Sequence, residues 1–219
     1  MIPLAKTKLP KFPDSYIGDK AGEYDSQKWM ERNQKKTTIK TINYLFDTKL
    51  GKIYYKLEQD LPLTILDLGC GTGFSSEILA EYGFKVIGVD ILHDMLSKAN
   101  MKRKMLKIKN LMLILADINY LPLRNRSIHF ITSISAYNFI IHEQCSHRNK
   151  RKIANNTAKY LHKILKPDGR MVIEFYPESE EELNLFNSSF TDNGFNGFMV
   201  KNTPNQKSGQ TYLLLKKAR

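Results

Sequence analysis

The chain has 219 residues, 42% of them hydrophobic, and its 34 lysines and arginines against 22 acidic residues give a formal net charge of +12. That length suits one domain with a single substantial core, and the hydrophobic share excludes a disordered chain. No apolar run approaches the ~20 residues that span a bilayer, and Cys70 and Cys145 are too few for a disulfide framework or a zinc site.

Met1–Lys8 contains no apolar signal core, so a cytoplasmic protein is expected. The lysine- and proline-rich residues up to about Pro13 predict a loose arm. Trp29, Met30, Ile39, Ile42, Leu45 and Phe46 recur at threes and fours, which predicts a helix from Glu23 to Phe46. Tyr24 and Trp29 on it suit either a lid over a ligand or the core. Residues 47–61 read as a connection with room for a short helix. This arm and helix, about residues 1–61, precede the first strand, Thr64–Leu68.

A helix at 74–82, a strand at 85–89 and a helix at 92–103 then complete a βαβα unit. The basic connection Lys102–Lys109 leads to Leu111–Leu115, apolar at every position. Ser127–Ser135 predicts a further strand, His142–Lys152 a loop, and 153–165 a helix that stops at Lys166-Pro167-Asp168-Gly169. Arg170–Tyr176 is the next strand. Glu178 to Glu182 open an amphipathic helix, with negative charge at the favourable end of its dipole. Phe195–Lys201 and Thr211–Lys216 are two final strands around a polar loop, and no internal repeat or second domain is visible.

The chemistry concentrates where Thr64–Leu68 runs into Gly69-Cys70-Gly71-Thr72-Gly73. A buried strand, a tight glycine turn and a helix start bring backbone close to a ligand. The spacing is G-x-G-x-G, not the G-x-G-x-x-G of dinucleotide sites, so the ligand need not carry a pyrophosphate. Asp90 closes the next strand where a doubly wound fold sets a carboxylate on ribose hydroxyls. An acid at the end of a buried strand has no packing reason, which argues against glycines used only for close packing.

Glycine turn and ribose carboxylate together resemble the class I S-adenosylmethionine-dependent methyltransferases. The resemblance implies one α/β domain over 1–219, with a Rossmann-like, seven-stranded, mostly parallel sheet in the order 3-2-1-4-5-7-6 and helices on both faces. S-adenosylmethionine would lie outside the carboxyl ends of strands one and four. Its site would draw on Tyr24, Asp67, Gly69, Cys70, Gly71, Gly73, Asp90, Ile91, Met95, Asp117, Ile118 and Ser133. Asp90 would take the ribose hydroxyls and Asp117 the adenine amino group, with Ile118, Ile91 and Met95 bordering the ring. A turn cap for Asp117, and ordinary core for Ile91 and Met95, are the competing readings.

Ser133–Phe139 would face the methyl group. It holds neither the Asn/Asp-Pro-Pro-Tyr/Phe element of adenine-N6 and glutamine-N5 methylases nor the Pro-Cys of cytosine-C5 enzymes. Ser133-Ile134-Ser135-Ala136-Tyr137-Asn138-Phe139 instead resembles the Ser-Ile-Ser-Ala-x-Gln-Trp element of the eukaryotic small-subunit rRNA guanine-N7 methyltransferases linked to bud-site selection in yeast. Similarity continues in Glu174–Ser179, in Gly194–Val200, in Pro204-Asn205 and in Tyr24 with its preceding Lys20, from about residue 13 onward. The chain departs where the family has Gln-Trp and this sequence has Asn138-Phe139, which leaves base specificity open. It also shows no basic C-terminal extension, which points to a cytoplasmic, archaeal-type counterpart.

That resemblance implies transfer to guanine N7, an atom with a free lone pair and no proton, so positioning replaces a general base. Tyr137, Asn138, Phe139 and Tyr176 would hold the base, with core packing the alternative for Phe139. His142 and His147 read as RNA-contacting or solvated, and no metal site is expected. Lys102–Lys109, Arg148–Lys152 and Lys201–Lys207 are either phosphate contacts or solvated faces. The partners implied are small-subunit rRNA and a small zinc-binding activator that continues the sheet at Leu111–Leu115. Cover of that strand by the chain's own helices is the alternative. A methyltransferase of a small molecule or of another RNA position, and an assembly factor whose catalysis is secondary, are the other functions compatible with these residues.

Overall fold

The computed structural model describes residues 11–53, 62–141, 147–177, 179–202 and 210–218. The expectations for residues 1–10 and 54–61, for His142 and Cys145, and for residues 203–209 lie outside the described residues, as do the side chains of Asn138 and His147.

Leucine- and isoleucine-rich segments alternate with helical ones, and the chain folds accordingly. In order come α1 (Asp19–Ser26), α2 (Lys28–Leu45), β1 (Thr64–Leu68), α3 (Phe74–Glu81), β2 (Lys85–Asp90), α4 (His93–Met105) and β3 (Leu111–Leu115). Then follow β4 (Ile128–Ile134), α5 (His147–Ile164), β5 (Leu165–Phe175), α6 (Glu180–Thr191), β6 (Phe195–Lys201) and β7 (Thr211–Lys217). The sheet order is β3-β2-β1-β4-β5-β7-β6, the order predicted. The strands β1 to β5 pair in parallel, and β7 runs antiparallel between β5 and β6.

Alternation along each strand splits the core in two. Leu66 and Leu68 of β1 pack with Ala154, Ala158 and Leu161 of α5 and Phe186 and Phe190 of α6. Ile65 faces the other way, toward Ile42 and Leu45 of α2 and Ile78 and Leu79 of α3. Helices therefore cover both faces. Among the described residues, no helix is long and apolar enough to cross a membrane.

Three boundaries differ from those expected. The N-terminal helix breaks at Gln27, whose backbone is extended, so α1 packs on α4 while α2 packs on α3. The segment 147–152, expected as loop, is the start of α5, because apolar spacing is silent before Ile153 whereas arginine and lysine are good helix formers. The stop signal before Arg170 is a bulge within β5. Pairing with β4 jumps from Ile128–Leu165 to Phe130–Arg170, and Asp168 adopts a φ of 59°.

The edge strand β3 is only partly covered: Leu111 is buried and Leu113 and Ile114 pack against the two halves of the core, whereas Met112 and Leu115 are 50% and 55% exposed. Beside them, Met101, Met105 and Leu106 also face solvent.

A buried cation fixes the helical layer that overhangs the site. Arg170 is 0% exposed and donates to the carbonyls of Leu45, Asp47 and Gly51, tying the C-terminal end of α2 to β5. The dipole of α2 favours positive charge at that end. Arg170→Met leaves these carbonyls without that donor. Urea unfolding should show a loss of about 3 kcal/mol or more.

Candidate active site

The turn after β1 passes close against the chain leaving β4. Gly69 has a φ of 68°, and a Cβ built there would lie 2.3 Å from the Cβ of Ala136. Only glycine meets both demands. Asp90, at the end of β2, holds the turn in place. Its Oδ2 accepts from the amide of Gly71 at 2.8 Å and its Oδ1 from the amide of Leu92 at 2.9 Å. Burial pushes the Asp90 carboxyl above its ordinary range, and the donated amides oppose that.

Above this floor lies a cleft of ≈ 340 Å³. On the side of β1 and β2 it is lined by Gly69 to Thr72, Asp90, Leu92 and Met95, and on the side of β4 and β5 by Ser135, Ala136, Phe139, Glu174 and Tyr176. Phe12, Tyr16, Tyr24, Trp29 and the α2 residues Met30, Asn33, Gln34 and Thr37 complete the enclosure. Phe12 stacks on Phe139 with ring centres 4.9 Å apart, and Tyr24 stacks on Phe74. The Tyr24 hydroxyl accepts from Gln34. Trp29 stays 58% exposed while lining the cleft, which suits a lid and not a core residue.

The segment carrying Tyr24 is tethered to α4. Asp94 accepts from the Gly18 amide at 2.7 Å, and Lys102 pairs with Asp25 while its ammonium sits 3.5 Å from the centre of the Phe74 ring. Lys102 is thus an internal tie, not the phosphate contact expected of it, and its neighbour Arg103 donates to the carbonyl of Leu111 and to Asn100.

The structure brings Tyr24, Gly69, Cys70, Gly71, Asp90, Met95, Phe139 and Tyr176 to one cleft. Other expected residues lie elsewhere. Tyr137 is fully buried between Phe186 and Phe190 of α6, so it cannot stack on a base as expected. The short 3₁₀ turn at Tyr137–Ile140 places Phe139 in the cleft and Tyr137 in the core.

Asp67 is buried beneath the turn, where it accepts from the hydroxyls of Ser75 and Ser76 at the start of α3. Desolvation raises its carboxyl to about 6, against the pull of those two hydroxyls. It anchors the helix and does not line the cleft. Ser133 is equally buried and donates to the carbonyl of Leu68, so it joins β4 to β1 instead of reaching a ligand. Gly73 caps α3 in a left-handed conformation, outside the lining.

Asp117 takes the competing role of a turn residue, accepting from the backbone and side chain of Asn119. Ile118 packs on the core next to Gly69, and Ile91 is 45% exposed beyond the lining.

Two features of the cleft were not assigned from sequence. Ser135 has a φ of 53°, a conformation that non-glycine residues adopt mostly where the surroundings impose it. Glu174, 1% exposed, receives the Ser135 hydroxyl at 2.8 Å and the Gln210 amide at 2.9 Å. The available signal for Glu174 was one acid in the otherwise apolar run Met171-Val172-Ile173-Glu174-Phe175. Phe12 and Tyr16 carried none, since they lie in an aperiodic segment.

Residues 60–217 match the family model described as "Methyltransferase domain". The chain belongs to this family. The methyltransferase is 30% identical to the probable 18S rRNA (guanine-N(7))-methyltransferase of Dictyostelium discoideum, over 77% of its own length and 58% of that protein's. It is also 30% identical to the 18S rRNA (guanine-N(7))-methyltransferase of Bos taurus, over 71% of its own length and 54% of the relative's. It thus spans little more than half the length of either. Geranyl diphosphate C-methyltransferase from Streptomyces coelicolor, solved in complex with S-adenosyl-L-homocysteine, superposes with a TM-score of 0.66. That match covers 94% of this chain and 83% of the other at 12% identity, a likeness of fold alone.

Among the described residues the Tyr137 hydroxyl has no hydrogen-bond partner, and burial pushes its ionisation far above the ordinary range. Tyr137→Phe removes an unsatisfied polar group and keeps the ring. It should gain about 1 kcal/mol in thermal or urea unfolding and leave methyl transfer unchanged.

Proposed function

We propose that this methyltransferase moves a methyl group from S-adenosylmethionine to N7 of a guanine in small-subunit rRNA, alongside a small zinc-binding activator. The observation that carries the reading is the cleft, lined by the Asp90 carboxylate on the side of β2 and by Phe139 and Tyr176 on the side of β4 and β5. Among the described residues, its lining includes no histidine or lysine, and its two carboxylates, Asp90 and Glu174, are already engaged by donors of the chain, so no unengaged base stands out. Guanine N7 needs none, because its lone pair is free and it carries no proton. The two relatives named for this activity support the same assignment.

The residues present fit the cofactor. The amides of Gly71, Leu92 and Ile91 hydrogen-bond to the Asp90 carboxylate, which leaves about one of its roughly four acceptor positions for a ribose hydroxyl. At Gly71 a Cβ would come within 3.3 Å of the Met95 methyl, so glycine keeps that end open. When bound, S-adenosylmethionine supplies a methyl group already activated on a sulfonium. The chain's part is to orient donor and acceptor in line, to stack the base on Phe139 and Tyr176, and to shield them from water beneath Tyr24 and Trp29.

Two surfaces suit the macromolecular partners. Exposed Arg148, Arg151 and Lys152 open α5, a short distance along the chain from Phe139. The half-covered edge at Met112 and Leu115 suits strand addition by the activator, which would bury apolar surface that α4 leaves open.

The decisive experiment is transfer of labelled methyl from S-adenosylmethionine to unmethylated small ribosomal subunits, with and without a candidate activator, followed by mapping of the product. Recovery of 7-methylguanosine at one site supports the proposal, and label confined to other acceptors overturns it. Asp90→Ala should abolish cofactor binding in calorimetry. Replacing Arg148, Lys150, Arg151 and Lys152 with glutamine should weaken transfer to RNA and flatten its dependence on log salt by up to about 3. A small-molecule acceptor would be little affected by that change.

A further inference from the structure

We infer that Glu174 reads the guanine through its N1–H and N2–H₂ edge, making it the specificity-determining residue of the acceptor end. The inference rests on the guanine-N7 reading above. A buried carboxylate is costly unless its oxygens are met by donors. Here the Ser135 hydroxyl meets Oε2 and the Gln210 amide meets Oε1, and the Tyr176 hydroxyl also hydrogen-bonds to the carboxylate. These three donors take most of the roughly four acceptor positions of a carboxylate.

They fall into two kinds. Ser135 is held by its left-handed backbone and by its amide bond to the Glu174 carbonyl. Tyr176, by contrast, is 53% exposed, and Gln210 reaches Glu174 by its side chain alone. The phenol and the amide therefore occupy two positions that a ligand with two adjacent donors can take over. Guanine presents that pair along one edge. Adenine and cytosine each place a ring-nitrogen acceptor there, and uracil sets its single N–H between two carbonyls.

With this edge on Glu174, N7 lies on the far side of the purine, directed away from the carboxylate and toward the glycine-turn end of the cleft. Phe139 lines the same side of the cleft as Glu174, with one ring face stacked on Phe12. As the N7 lone pair forms the new bond to carbon and the sulfur keeps the electrons of the bond that breaks, positive charge spreads over the base. Its N1–H and N2–H then become stronger donors, so the carboxylate binds the transition state more tightly than the ground state. Glu174 should therefore influence kcat more than KM.

The test compares the full chain and its Glu174→Gln variant on an rRNA fragment carrying either guanosine or inosine at the mapped position. Inosine keeps N7 and N1–H but lacks the 2-amino group. The wild-type chain should lose about 10- to 100-fold in rate on inosine. Glu174→Gln should lose a similar factor on guanosine, mainly in kcat, and little more on inosine, with cofactor binding unchanged in calorimetry. Equal wild-type rates on the two bases, with 7-methylguanosine still formed, overturn the role of Glu174 and leave the guanine-N7 function standing. Absence of any 7-methylguanosine overturns that function and this assignment with it. Because the inosine comparison uses the wild-type chain, it decides the matter even where the variant folds poorly.

Discussion

A single carboxylate holds the site together. Asp90 bonds the amide of Gly71, after β1, and the amide of Leu92, after β2, so it joins the two turns that frame one end of the cleft. Beneath it, Asp67 fixes the first turn of α3 through Ser75 and Ser76. The glycine turn lies between these acids and is pressed against Ala136 at the end of β4. Backbone that would otherwise be a mobile loop is thereby preorganised for a ligand.

The enclosure is assembled from parts distant in sequence. The helix α1 is held to α4 by Gly18–Asp94 and by Lys102–Asp25, which sets Tyr24 on Phe74 at one end of the cleft. The adjoining α2 is fixed at its C-terminal end by the buried guanidinium of Arg170 and lines the cleft with Asn33, Gln34 and Thr37. The two carboxylates that face the cleft, Asp90 and Glu174, come from separate halves of the sheet. Such a division suits a donor and an acceptor meeting between β1 and β4, where the strand order reverses.

Outside the cleft, two surface features suit a protein that works within a larger assembly. The apolar edge at β3 exposes methionine and leucine where an unpartnered sheet edge ordinarily carries charge. The start of α5 carries concentrated positive charge.

The glycine turn and the placement of Asp90 were legible in the sequence because each depends on local pattern, whereas the sheet order followed from the family resemblance. Alternation marks a strand, the G-x-G-x-G spacing marks a tight turn, and an acid ending an apolar strand is conspicuous. The direction of individual side chains was not legible. Tyr137 and Phe139 are two positions apart in one 3₁₀ turn, yet one ring enters the core and the other the cleft, and only packing against Phe186 and Phe190 decides which. Ser133 and Asp67 look like ligand groups in one dimension and are internal hydrogen-bonding anchors in three. The converse holds for Glu174 and Phe12, whose roles arise from contacts with residues far along the chain, Gln210 and Phe139, that no local pattern encodes. Local sequence thus determined where the backbone turns, and tertiary packing decided which side chains the cleft receives.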